Sequence, residues 1–199
     1  MFQETLESAA LPPGYPRELE TSLCLKDGRS VVIRPLAPVD APALEQVVET
    51  VDRETLYQRF FTRHPRLDAS RIAHLTNLDY QWRLALVAVH HGHLAGIVRY
   101  EGEPHDSCAE VGLVVDRPWR NAGLATAMLR ELEKAALARG IVRLKAYYLE
   151  DNPAIAALLR RFGYAPPRVI HGVAETSKAL LTVSPTDREC LAGVCGSVS

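Results

Sequence analysis

Apolar and polar positions follow two rhythms along this chain. Short apolar runs bounded by turn residues read as strands. They are "SVVIRP" at 30–35, "LALVAVH", "LAGIVRYE", "AEVGLVV", "IVRLKAYYL" and "ETSKALLTV". The second rhythm has the helical period. In "LATAMLRELEKAALARG", Leu124, Met128, Leu132 and Ala136 recur on one face, and Gly140 stands as the stop. Asp40 reads as an N-cap with Pro42 in the first turn, opening a helix through Leu44, Val47, Val48 and Val51. "RETLYQRFF" continues as a second helical piece, and Asp68 caps a third, "ASRIAHLT". "PAIAALLRRF" is a further helix, leaving through Gly163 and Tyr164.

The order is helices, then a three-strand meander, then helix, strand, helix, strand. "HGH" turns the meander's first hairpin near Gly92. This is a mixed α/β arrangement in one domain. The step from Val111 to Leu149 is expected to be a right-handed parallel crossover. "LPPGYP" punctuates the start, so residues 1–18 are expected to form a flexible arm. The domain then spans 19–183, and the small polar residues of 184–199 read as a flexible tail.

Length and charge narrow the function. A chain of 199 residues, 47% hydrophobic, supports one sizeable core. A formal net charge of −1 gives no bulk basic excess for a nucleic-acid backbone. No apolar run reaches membrane-spanning length, and the first residues, "MFQETLESAA", lack the basic start of a signal peptide. The expectation is a cytoplasmic protein with neither nucleic-acid nor membrane partners. Cys24, Cys108, Cys190 and Cys195 form no CxxC pair, so no metal is expected and the thiols read as free. His90, His91 and His93 cluster at the hairpin, with alternation placing His91 and His93 on one face. They read as polar turn residues.

Candidate chemistry sits in "VVDRPWRNAGLATAML". Arg120, Gly123 and Ala125 have the spacing R-x-x-G-x-A at a strand-to-helix turn. The first N–H groups of a helix lack helical partners and carry partial positive charge. A glycine there lets a ligand approach, and an arginine adds fixed charge, so the turn suits a phosphate. An ordinary turn with a solvated arginine fits these six residues as well. Neither G-x-x-x-x-G-K-[ST] nor G-x-G-x-x-G is present, which argues against nucleotide hydrolysis and hydride transfer.

The wider pattern resembles a known family. The loop is similar to the acetyl-CoA pyrophosphate loop of the GNAT superfamily of N-acetyltransferases, Q/R-x-x-G-x-G/A. "EDNPAIAALLRRFGY" is similar to that family's second cofactor motif, and "VVIRPLAPVDAPAL" resembles its opening strand and helix. With "YPRELE", "TLYQRFF" and "LTNLDY", the chain looks like the acetyltransferase domain of bacterial Pat-type protein lysine acetyltransferases.

The resemblance implies a central twisted sheet, mixed antiparallel and parallel, flanked by helices and splayed into a V between two parallel strands. It implies acetyl-CoA as co-substrate. The backbone of Leu113, Val114 and Val115 would meet the pantetheine arm, and one N–H there would face the thioester oxygen. Arg120, Asn121, Ala122, Gly123, Leu124, Ala125 and Thr126 would hold the pyrophosphate, and Asn152 would bond near the pantetheine. Glu110 matches the general base of lysine-acetylating members. Leu159 stands where many members carry a tyrosine acid. Tyr147, Tyr148 and Tyr164 read as packing residues, as do Phe60 and Phe61 beside Arg59. The implied acceptor is a protein lysine, such as that of an AMP-forming acyl-CoA synthetase, attacked directly since no cysteine matches a nucleophile position. A small amine or protein N-terminus as acceptor, and a non-catalytic CoA-binding sensor, are the competing readings.

Overall fold

The computed structural model describes residues 11–50 and 68–180. Eight strands among them form a single sheet in the order β1-β2-β3-β4-β5-β6-β8-β7. The strands are β1 Thr21–Cys24, β2 Ser30–Pro35, β3 Arg83–His90, β4 His93–Gly102, β5 Cys108–Val115, β6 Arg143–Leu149, β7 Arg168–Ile170 and β8 Val173–Ala179. The helices are α1 Ala41–Thr50, α2 Ala69–Thr76, α3 Leu124–Ala138 and α4 Pro153–Arg161. All neighbouring strands are antiparallel except β5 and β6, which are parallel and joined through α3. This is the mixed sheet with one crossover that the order of elements predicted.

Two apolar layers cover the sheet. Leu124, Met128, Leu132 and Ala136 of α3 are fully buried against one face, together with Leu84, Leu86, Val98 and Tyr100. The helical spacing read from the sequence is therefore the packing stripe. Gly96 permits the close fit, since a Cβ there would come within 3.0 Å of the Val114 carbonyl and 3.2 Å of the Met128 sulfur. On the other face Leu36, Ala43, Ala85, Val87, Val89 and Leu94 form a smaller cluster beneath α1. The hairpin turns at His91 (φ 44°) and Gly92 (φ 82°), two left-handed residues that match a type I′ turn.

Several local expectations are corrected. Asp40 does not cap α1. It ends a 3₁₀ turn, Pro38–Asp40, and is 1% exposed. Its carboxylate takes two bonds from Arg34 (2.7 and 2.8 Å) and a third from the Ala37 N–H (2.9 Å). Asp68 does cap α2, accepting from the Arg71 N–H at 2.8 Å. The arm expected over 1–18 is packed in its described part: the Tyr15 hydroxyl donates to Pro35 O at 3.4 Å, and its ring meets Tyr80 edge-on. Strands β1 and β7 were not anticipated, and β8 begins at Val173 rather than at Glu175. His91 sits in the turn, while His90 and His93 both pack against Trp119, at 4.9 and 6.3 Å between ring centroids. The helical piece expected at "RETLYQRFF", with Arg59, Phe60 and Phe61, and the tail expected over 184–199 lie outside the described residues.

The Arg34–Asp40 pair tests how this N-terminal segment is held. Both residues are nearly inaccessible, at 4% and 1% exposure. Removing one partner strands a buried charge, at a cost of about 3–5 kcal/mol. Asp40→Ala should lower the urea-unfolding free energy by that order; a change below about 1 kcal/mol would mean that the pair is not stabilising.

Candidate active site

The parallel pairing of β5 and β6 is short. The strands are in register from Cys108 and Arg143 to Val111 and Ala146, and beyond that they part. On its other side β5 stays paired with β4 as far as Val115. From Gly112 onward, one backbone edge of β5 therefore faces an opening instead of a strand. The opening continues into a cleft of about 640 Å³, bounded by the ends of β5 and β6 and by α3 and α4.

The far end of the cleft is the loop singled out above. Asn121 (φ 63°) and Gly123 (φ 91°) both adopt left-handed backbone, which turns the chain sharply into α3. A side chain is strained at such a φ, which suits the position to glycine. The first helical bond runs from the Ala127 N–H to Gly123 O at 3.1 Å. The N–H groups of Leu124, Ala125 and Thr126 are left without helical acceptors. Arg120 is braced from behind, its Nε donating to Val115 O at 3.1 Å. Arg161 of α4 donates to the Thr126 hydroxyl, tying the two helices together.

The charge of the lining is one-sided. Lys26, Arg120 and Arg161 line the cleft, and among the described residues no aspartate or glutamate does. Cations beside a helix N-terminus suit an anion, and the largely apolar remainder of the walls, with Asn121, Thr126 and Asn152 among them, suits a long arm attached to that anion.

Leu113, Val114, Val115, Arg120, Asn121, Gly123, Leu124, Ala125, Thr126 and Asn152 all line this cleft. Ala122 does not. It is buried in the core, and its carbonyl accepts from the Lys26 N–H at 3.1 Å. Asn152 caps α4, its Oδ1 accepting from the Ile155 N–H at 3.2 Å. That leaves its amide N–H₂ to meet a ligand. Leu159 is 3% exposed and also lines the cleft, so an apolar wall stands at that position. Cys24 and Cys108 do not reach the cleft, and Cys190 and Cys195 lie outside the described residues. Among the described residues, no cluster of His, Cys, Asp and Glu could hold a metal ion.

Glu110 lies just before the opening, on the sheet face opposite the buried Ala109 and Val111. Its carboxylate is exposed, and among the described residues no hydrogen bond or ion pair holds it. Its strand neighbours are Glu101 and Lys145. Glu101 is differently placed, bound to Arg99 (2.8 Å), His74 (2.8 Å) and Arg83 (3.4 Å). Burial acts to raise the pKa of Glu101, but these cations outweigh it and the net shift is downward.

Sequence reasoning missed two residues on this face. Tyr147 is not a packing residue. It is 37% exposed, lines the cleft where β6 leaves β5, and donates from its hydroxyl to Glu175 at 3.3 Å. Burial, followed by the Glu175 charge, holds its phenol above its ordinary pKa. Tyr148 and Tyr164 are buried, as expected of packing residues. The alternation in "RLKAYYL" marks one of the adjacent tyrosines as outward, but only strand pairing identifies Glu175 as its partner.

The family model for GNAT acetyltransferases matches residues 51–164. The chain belongs to the GNAT acetyltransferase family. It is an acetyl-CoA-dependent acyltransferase with the mixed α/β GNAT fold. The GNAT domain of S. lividans PAT superposes with a TM-score of 0.77 at 31% identity, over 83% of this chain and 99% of that one. An acetyltransferase of Pseudomonas aeruginosa is 27% identical over 148 residues, 72% of this chain and 80% of that protein. The Salmonella typhimurium protein yncA, solved with its cofactor acetyl-CoA, shares 17% identity and the fold, with a TM-score of 0.63 over 77% of this chain and 96% of that one. No described helix is long and apolar enough to cross a membrane.

Arg120→Glu puts a carboxylate where an anion should bind. A charged hydrogen bond is worth about 1.5–3 kcal/mol, so the Kd for CoA should rise at least about tenfold by calorimetry. Unaltered affinity would remove the loop from the site.

Proposed function

We propose that this protein acetylates the side-chain amine of a lysine on another protein, with Glu110 as general base. The observation that carries the reading is the place of Glu110: an unpaired, exposed carboxylate two residues before β5 and β6 part, across the sheet from the α3 core. The likeness to the S. lividans PAT domain supports a protein lysine as acceptor, and an AMP-forming acyl-CoA synthetase is the substrate class we favour.

Acetyl-CoA supplies an activated acetyl thioester. The pyrophosphate would lie on the free N–H groups of Leu124, Ala125 and Thr126, with Arg120 and Gly123 beside it. The pantetheine would run along the backbone of Leu113, Val114 and Val115, past Asn152. A backbone N–H on that free edge of β5 would donate to the thioester oxygen, where negative charge develops.

The acceptor enters from the Glu110 face. A lysine ammonium has a pKa near 10.4 in water, so it must lose a proton before its nitrogen can attack. Glu110 accepts that proton, directly or through one water. The new C–N bond forms, the C–S bond breaks, and the sulfur leaves as a thiolate. Neither Cys24 nor Cys108 lines the cleft, which supports direct transfer without an acyl-enzyme. Glu175 and Tyr147 border the same entrance and favour a cationic acceptor.

Glu110→Gln should leave the Kd for CoA unchanged and lower kcat by about 10²-fold or more, the usual contribution of a general base. Equal rates for the two proteins across pH 6–9 would remove Glu110 from this role. Labelled acetyl-CoA should mark a single lysine of an acyl-CoA synthetase. Label on small amines or protein N-termini, and none on that lysine, would replace the protein-lysine reading.

A further inference from the structure

The loop between β1 and β2 belongs to a hairpin that lies outside the residues matched by the family model. It is nevertheless locked to the anion loop. The Lys26 N–H donates to Ala122 O at 3.1 Å. Arg29 donates to Pro118 O at 2.9 Å, and its guanidinium lies 3.9 Å over the ring of the buried Trp119. His90 bonds Ser30 O at 2.6 Å from the neighbouring turn. These contacts hold the hairpin against the segment 118–123 that leads into α3.

That docking fixes the Lys26 side chain. Its methylenes lie over Gly123, with Cε, Cγ and Cδ at 3.6, 3.7 and 3.8 Å from where a Cβ would stand. The neighbouring acid, Asp27, is taken by Arg29 at 2.6 Å. Among the described residues no carboxylate pairs with the Lys26 ammonium. The ammonium thus sits at the positive end of α3, in a lining that also holds Arg120 and Arg161 and, among the described residues, no acid. Like charges gathered at a helix N-terminus repel one another unless an anion joins them.

We propose that Lys26 is a further cofactor-binding residue, delivered by the N-terminal hairpin to a phosphate group of CoA. The inference rests on the reading of this cleft as the CoA site. The hairpin acts as a strap across the head of the loop, and the bound anion closes it by joining Lys26 to the N–H groups of α3. Glycine at 123 serves the left-handed turn (φ 91°), over which the lysine stem lies in ordinary contact.

The test is calorimetric and needs no acceptor. Lys26→Ala should weaken CoA binding about tenfold and Lys26→Glu more strongly, with Lys26→Arg close to the unsubstituted protein. The dependence of Kd on salt should become shallower in Lys26→Ala. The probes are CoA and 3′-dephospho-CoA. A loss seen with both places Lys26 on the pyrophosphate; a loss seen with CoA alone places it on the 3′-phosphate. Because Lys26 is exposed, the variants should keep the melting temperature, which confirms that any loss is local. A Kd within twofold of the unsubstituted protein for Lys26→Glu would overturn the role of Lys26 and leave the cleft reading standing. Failure of the unsubstituted protein to bind CoA would overturn both.

Discussion

The parting of β5 and β6 is the constraint on which the rest of the site depends. Two parallel strands that stayed paired would consume the backbone groups of 112–115 and close the sheet. Here pairing ends at Val111 and Ala146, although β5 continues to Val115 and β6 to Leu149. Buried backbone groups need partners, so a free strand edge inside a fold implies a ligand that supplies them or water that does. The packing of α3 holds the strand in place. Gly96 admits the Met128 sulfur, and β4 anchors β5 from the side away from the opening. The strand edge is thus rigid yet unpaired, which is what a preorganised hydrogen-bonding surface requires.

The two sides of the opening present different charged groups. Among the described residues, the charged side chains lining the cleft under α3 and α4 are Lys26, Arg120 and Arg161, with a helix N-terminus added. The opposite face presents the free carboxylate of Glu110 and the Tyr147–Glu175 pair. On the proposed reading, donor and acceptor approach from different sides of one sheet and meet where the strands part. Glu101, on the same face as Glu110, is saturated by Arg99, Arg83 and His74. Its cation partners occupy it structurally, while the acid next to it on β5 remains free.

How far the sequence was legible varied with the physics of each part. Helix α3 and the central strands were readable because their burial is periodic, and the same period shows in the residue types. The strands β1 and β7 are not legible because they are mostly exposed and carry no alternation. Asp40 was misread because an aspartate before a helix is usually a cap. Here a buried guanidinium competes for it, and Arg34 lies across the strand-to-helix corner where a capping argument does not look. The histidines were judged by alternation, which fails at a turn whose two central residues have positive φ.

The sequence by itself determined the local frame of the candidate donor site: a strand, a loop with Arg120 and Gly123, and an amphipathic helix form one continuous segment, whose local chemistry suits an anion and whose likeness to a family motif suggests which one. Tertiary structure decided the rest. Only sheet order brings Glu175 of β8 to Tyr147 of β6 and sets both on the face of Glu110. Only the docking of the β1–β2 hairpin carries Lys26 to Gly123. Ala122, which local spacing counted with the loop, turns its side chain into the core and gives its carbonyl to that hairpin. The reason is common to all three. Spacing along a chain encodes what a single helix or strand presents, whereas a contact between distant segments is fixed by pairing and packing energies that no local pattern records.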